Sequence, residues 1–391
     1  MNRSRLSFLL LSMVVMIPVV TGTLMARSEG DGDDSLFKYL SVFQDVLRLV
    51  RQAYVEEISV EALMEGALDG TTDALDPFST FVPASRVDGY REVLRLGPAR
   101  SGLVVAKDRG IVYVVGVASG SPADVAGVER GDILTSIGGR PTRPTPLWRI
   151  QQLLAREPGT EMELKLLRRG VPSTVDLELG QFDPAPLEWR DEDDIAVLSL
   201  PTLDEGSLVA LRGRLSQLAS EGRTRLMIDL RHTLSSNPEV AYEVGRLFAR
   251  GDLGSLARGE TVLESFSSDA DPIWSGELVV LLGRGSVGGA EVLALVLKQA
   301  AGATLVGQTS FGHAGRLSLI PLSNGAHMLL TDAFYTGPDG EPLLEGVTPD
   351  IEVNERSRRF AEKDLSVEDL TLQRGLAVFA DAAEDPAADV A

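Results

Sequence analysis

The stretch GELVVLLGRGSVGGAEVLALVLKQA, residues 276–300, decides the reading of this chain. It opens as an apolar strand, passes through a glycine-rich turn and continues with apolar residues at helical spacing. Two chemistries compete for the turn. Gly283, Gly285 and Gly288 fit G-x-G-x-x-G, which would seat a dinucleotide pyrophosphate on a helix N-terminus, and Ser286 between them has the placing of a nucleophile. The dinucleotide reading needs an acidic residue about 20 positions further on to hold the ribose. After Glu291 the next acid is Asp332, so no cofactor is expected. The glycines are then needed only for a tight turn into a closely packed helix, and Ser286 reads most simply as a cap of a helix starting near Val287.

The turn sits in a run of alternating strand and helix patterns: IAVLSL, LVALRGRLSQLASEG, RLMIDL, PEVAYEVGRLFARG, GELVVLL, AEVLALVLKQAAG and ATLVGQ. This is the signature of parallel β-α-β units, whose sites lie at the carboxyl ends of strands, here RHTLSS and GRGSVGG. Upstream, residues 100–180 change to short strands and turns around one amphipathic helix beginning PLWRIQQLL, a small β-rich module that can take an extended peptide as an added strand. Trp148 at the start of that helix reads as core. Before the module, apolar residues at helical spacing predict two helices, with Ser59 as N-cap of the second and Pro77 ending it. The expected architecture is multidomain α/β: 1–27 as signal peptide or anchor, 28–97 helical, 98–183 β-rich, 184–354 as the α/β core, and 355–391 as an acidic tail containing a helix.

Composition narrows the function. With 391 residues, 44% hydrophobic and 24% charged, the chain is globular and long enough for several cores. A formal charge of −20 repels phosphate backbones and excludes nucleic acid as a natural partner. There is no cysteine, which removes disulfides, thiolate metal sites and a cysteine nucleophile. His232, His313 and His327 have no ligand spacing, so no metal is expected. Arg3 and Arg5 precede an uncharged run over residues 6–26, long enough for about 30 Å of hydrocarbon. The body is expected outside the cytoplasm, in the cell envelope, tethered by 6–26 or released by cleavage near Val20 and Gly22.

The order of parts resembles the carboxyl-terminal processing, or tail-specific, serine proteases. EALMEGALDGTTDALDPFSTFVP is similar to the segment preceding the PDZ domain in that family, and GSPADVAGVERGDILTSIGGRP to its PDZ core. RLMIDLR, SVGGAEVLALVL, VGQTSFGHAG and LLEGVTPDIEV follow in the family's order. The resemblance implies a PDZ domain and a ClpP/crotonase-like α/β core with a Ser-Lys dyad. It also implies that the dyad is gone. The family's Gly-Ser-Ala-Ser-Ala-Ser-Glu lies on GSVGGAE, with the nucleophile's place taken by Gly288. The lysine 25 residues later falls on His313, and the glutamine supporting it on Leu317. Pro-Gly-Gly at the oxyanion strand is replaced by Leu234, Ser235 and Ser236.

A dyad needs a hydroxyl at the helix N-terminus, a neutral base and N–H donors aimed at the oxyanion, and Gly288 has no attacking atom. The expectation is a protein without peptidase activity. The alternative is a rearranged site in which Ser286 attacks with His313 as base, and Ser310 is a weaker candidate. A third reading is a purely structural envelope protein. The resemblance further implies that Gly102, Leu103 and Val104 form the carboxylate-binding loop of the PDZ domain. Protein C-termini, or an active protease relative, are then the expected partners.

Overall fold

In the computed structural model the described residues are 31–183, 185–235, 237–353 and 369–384. The apolar run at 6–26, most of the acidic tail and Ser236 lie outside them. Among the described residues no helix is long and apolar enough to cross a membrane. The chain divides into two compact units, 1–67 and 68–391. In the first, helix α1 (Asp31–Ala53) is followed by the start of α2 (Val60–Asp73), and Ser59 caps α2 by accepting Ala62 N–H at 3.1 Å.

The second unit begins with β1 (Thr80–Val82) and α3 (Val87–Leu96). The β-rich module follows: β2 (Leu103–Asp108), β3 (Ile111–Val117), α4 (Pro122–Val125), β4 (Ile133–Ile137), β5 (Arg140–Pro141), α5 (Leu147–Leu154), β6 (Glu161–Arg168) and β7 (Val171–Glu178). Its sheet runs β2-β3-β4-β6-β7, leaving β2 as an edge. Period-two alternation sends Leu103, Val105, Val112 and Val114 inward, where they meet Leu147, Ile150 and Leu154 of α5. Trp148 faces away from that core and packs with Val82, Tyr90 and Leu329.

The remaining elements are β8 (Glu188–Glu192), β9 (Ile195–Ser199), β10 (Thr202–Leu203), α6 (Glu205–Ser220), β11 (Arg225–Asp229), β12 (Leu234–Ser235), α7 (Val240–Gly245), β13 (Gly251–Arg258), β14 (Thr261–Ser268), β15 (Glu277–Leu282), α8 (Gly289–Ala301), β16 (Thr304–Gly307), β17 (Gly315–Pro321), β18 (His327–Tyr335), β19 (Ile351–Glu352) and α9 (Leu370–Glu384). The sheet order β19-β16-β15-β11-β9-β8 is parallel from β19 to β9, as the β-α-β pattern predicts. Ala196, Leu198, Ile228, Val280 and Leu305 face a large core shared with α6, α7 and α8. Ile195, Val197, Met227, Val279 and Val306 face the other way and are covered by Phe379 of α9. The helix expected within residues 355–391 is a structural layer: Phe379 is buried against the sheet, with Leu372 and Leu376 half-buried beside it.

A second sheet, β1-β18-β13-β14 with β17 on β18, is antiparallel and was not legible as strands beside the dominant β-α-β rhythm. It brings β18 and the segment before β1 to the carboxyl end of β15.

Arg231 ties α9 to the end of β11. Its Nε and Nη2 bind Asp229 at 3.0 and 2.7 Å, and its Nη1 and Nη2 bind Asp369 at 2.7 and 2.8 Å. Arg231→Met leaves a buried carboxylate without its cation and is expected to lower unfolding free energy by about 3 kcal/mol in urea titration.

Candidate functional site

The turn between β15 and α8 is built by internal hydrogen bonds. Ser286 is 0% exposed. Its Oγ donates to Leu230 O at 2.9 Å and accepts Gly283 N–H at 3.2 Å, while its own N–H binds Gly283 O at 2.9 Å. The helix starts at Gly289 with Gly288 as N-cap, so Ser286 lies too early to cap it. Instead its hydroxyl stitches the turn to the end of β11. Among the described residues no hydrogen bond joins Ser286 to His313.

Gly288 has φ 61° and ψ −118°, a sharp strand-to-helix elbow in the left-handed region. A Cβ built there would come no closer than 3.9 Å to any neighbour, the carbonyl oxygen of His313. The backbone thus has a sharp strand-to-helix bend with room for a Cβ, and Gly288 places no side-chain oxygen there.

The residue that organises the site is Glu291, one turn into α8 and 0% exposed. One carboxylate oxygen accepts the Ser310 hydroxyl at 2.5 Å and Gly312 N–H at 2.6 Å; the other accepts Gly288 N–H and His313 N–H, both at 2.9 Å. Burial pushes its carboxyl up from the ordinary value, and the four donors pull it back. Ser310 Oγ also accepts Val347 N–H at 2.7 Å, so its own hydrogen goes to Glu291, and Ser310 is no nucleophile in this arrangement. The signal for Glu291 was its position three residues after the N-cap, the spacing of a capping box.

His313 is 7% exposed. Its ring stacks on Phe78 with centroids 4.2 Å apart, and its Nε2 lies 3.4 Å from Thr331 Oγ1, a long contact. Burial lowers its pKa, opposed by the Asp76 carboxylate, so the imidazole is neutral at pH 7. Leu317, on β17 opposite Thr331, offers no polar group to a base. At β12, Leu234 N–H is taken by Pro201 O at 2.9 Å and Leu234 and Ser235 pair with Thr202 and Leu203. Ser235 Oγ is buried without a hydrogen-bond partner among the described residues.

The β-rich module packs directly on this site. The face of β2 and β3 that carries Val104, Ala106, Tyr113 and Val115 meets Phe78, Val287 and Phe311. Leu234 reaches Gly116 of β3, and Arg130 lies over Gly285 with its Nη2 3.3 Å from His232 Nε2. A covered Gly285 and a buried Ser286 leave no open glycine cradle for a pyrophosphate. No group of three His, Asp or Glu able to hold a metal occurs among the described residues.

Gly102, Leu103 and Val104 sit together at the start of β2 but do not present three free N–H groups. Gly102 N–H binds Pro98 O at 2.7 Å and Leu103 N–H binds Ser101 Oγ at 3.2 Å. Leu103 points into the module's core and Val104 toward the α/β core. Gly102 has φ +79° and its Cα abuts Ser121, so substituting it would disturb the fold as well as any ligand.

These features define a parallel α/β core with a small β-rich module packed on the carboxyl end of its sheet. Residues 194–353 match peptidase family S41, and residues 113–168 match a PDZ domain. The carboxy-terminal-processing protease of Bartonella bacilliformis is 27% identical over 359 residues, spanning 89% of this chain and 81% of the relative. The chloroplastic C-terminal processing peptidase of Tetradesmus obliquus is 28% identical over 302 residues, 71% of this chain and 65% of the relative. The solved photosystem II D1 C-terminal processing protease superposes with a TM-score of 0.66 at 25% identity, covering 80% of this chain and 92% of that one. The chain thus carries a peptidase S41 domain and a PDZ domain and is similar to C-terminal processing proteases over most of its length.

Two outcomes follow. Glu291→Gln places an amide NH2 against two N–H or O–H donors in either rotamer, and is expected to cost about 3 kcal/mol in urea unfolding, more than Ser310→Ala. Because the folded-state pKa of His313 is depressed, its contribution is present above the unfolded value of about 6.5 and is lost as pH falls below it. Denaturation midpoints measured from pH 7 to pH 5 should therefore fall less steeply in His313→Gln than in the wild type.

Proposed function

We propose that this protein is a family member that binds polypeptide through its PDZ domain and does not cut it. The observation that carries this reading is Gly288. The elbow, its buried carboxylate and the loop bearing His313 are all in place, yet Gly288 carries no oxygen, the hydroxyl of Ser286 is committed to Leu230, and that of Ser235, which lies against Gly289, makes no hydrogen bond to His313 among the described residues. Moving an attacking atom by even about 1 Å can cost on the order of a hundredfold in rate, so a hydroxyl held elsewhere is a poor substitute.

The ligand class we assign is an extended segment with an apolar C-terminus, added as a strand at the outer edge of β2. The same reading places the body on the far side of a membrane, tethered by residues 6–26, with Arg3 and Arg5 on the cytoplasmic side. There it recruits substrates for, or restrains, an active relative.

The test is to incubate the protein with an unstructured, apolar-ended polypeptide and follow both binding and chain length. The expected outcome is saturable binding, weakened when the C-terminal carboxylate is amidated, with no shortening. Shortening that is lost in Ser286→Ala or His313→Ala would establish the rearranged peptidase instead, and absence of binding would leave a structural role.

A further inference from the structure

Residues 76–82 touch the PDZ domain, the His313 loop and the second sheet at once. Pro77 O accepts Lys107 N–H at 2.8 Å on the outer edge of β2. Thr80 Oγ1 accepts Trp148 N–H at 3.4 Å at the start of α5. The ring of Phe78 stacks on His313 and meets Phe311 edge-on with centroids 5.8 Å apart. Ser79 Oγ accepts Thr331 N–H at 3.3 Å, and residues 80–82 pair with β18. Asp76 holds the bend by accepting Phe78 N–H and Ser79 N–H, both at 2.8 Å, and the Ser79 hydroxyl at 2.5 Å.

The edge that an added peptide strand would use is therefore already occupied at one end by the chain itself. In an antiparallel pair alternate N–H groups point away from the partner strand. Lys107 is one of these on β2, and its N–H is spent on Pro77. A peptide lengthening along β2 from Val105 toward Lys107 has to displace that carbonyl. The next residue is the one that covers His313.

We infer that residues 76–80 form a strap that competes with bound peptide for the edge of β2, so that peptide entry lifts Phe78 from His313. This rests on the reading that the PDZ domain takes polypeptide. The groups facing the ring are the Phe78 phenyl, Thr331 Oγ1 and the Asp76 carboxylate, with the Glu291 carboxylate on the backbone N–H. Removing the phenyl exposes the imidazole to water, and the strap thereby reports occupancy of the PDZ edge to the relic site without any bond being cut.

The experiment uses the full chain in a mild detergent and a twelve-residue unstructured peptide with an apolar, free C-terminus. Binding is read by fluorescence polarisation. The three histidines are followed by carbon-13 NMR, with the His313 signal assigned through His313→Gln. Peptide is expected to move the His313 titration upward, toward about 6.5. Asp76→Ala, which frees the bend, is expected to tighten peptide binding about tenfold. Phe78→Leu keeps the apolar contact while removing the ring stack, and should raise the His313 titration before any peptide is added. Peptide that binds wild type and both variants equally while the His313 signal stays still overturns the strap and leaves the binding reading intact. Peptide that binds none of them overturns both.

Discussion

Everything at the carboxyl end of β15 depends on one buried carboxylate. Glu291 collects Gly288 N–H, Gly312 N–H, His313 N–H and the Ser310 hydroxyl, and so fixes the elbow and the His313 loop relative to each other. A negative group within the first turn of α8 is favoured by the helix dipole. Hydrogen bonds to a charged acceptor contribute roughly 1.5–3 kcal/mol each, which offsets the desolvation that burial imposes. The consequence is that the geometry of the site does not require a side chain at Gly288. A scaffold held from behind in this way keeps its shape without one.

The same logic explains why the PDZ domain lies so close. The sheet formed by β2 and β3 is buried on both faces, with Leu103 and Val105 toward its own core and Val104, Ala106 and Val115 toward Phe78, Val287 and Phe311. Alternation along the strands makes both contacts available from one short sequence. An apolar second face could not be left in water without cost at about 25 cal/mol per Å². The turn between β15 and α8 therefore works as a packing surface, with Leu234 set against Gly116 and Arg130 laid over Gly285.

Much of this was legible in the sequence. The parallel sheet followed from strand and helix periods, the small β-rich module from short alternating strands around Leu147–Leu154, its PDZ identity from the family resemblance, and the Ser59 cap from its spacing. Gly288 and His313 were placed by motif order, and the structure brings them to one site. The antiparallel second sheet was missed because β13, β14, β17 and β18 are partly exposed and carry mixed patterns that a rhythm of buried strands overwhelms. The place of Ser286 suggests a helix cap, since sequence cannot tell a hydroxyl that caps from one that reaches Leu230, 56 residues upstream. The N–H groups of Gly102 and Leu103 were expected to face a ligand; their partners Pro98 and Ser101 lie within a tight loop whose bonding only coordinates reveal.

On the proposed reading this core holds no activated alcohol. That reading is tested most directly by treating the folded protein with an excess of a serine-directed fluorophosphonate and weighing the intact chain by mass spectrometry. The account predicts an unmodified mass after prolonged exposure. A stoichiometric adduct mapped to Ser235, Ser286, Ser310 or Thr331, and abolished by replacing His313, would contradict it.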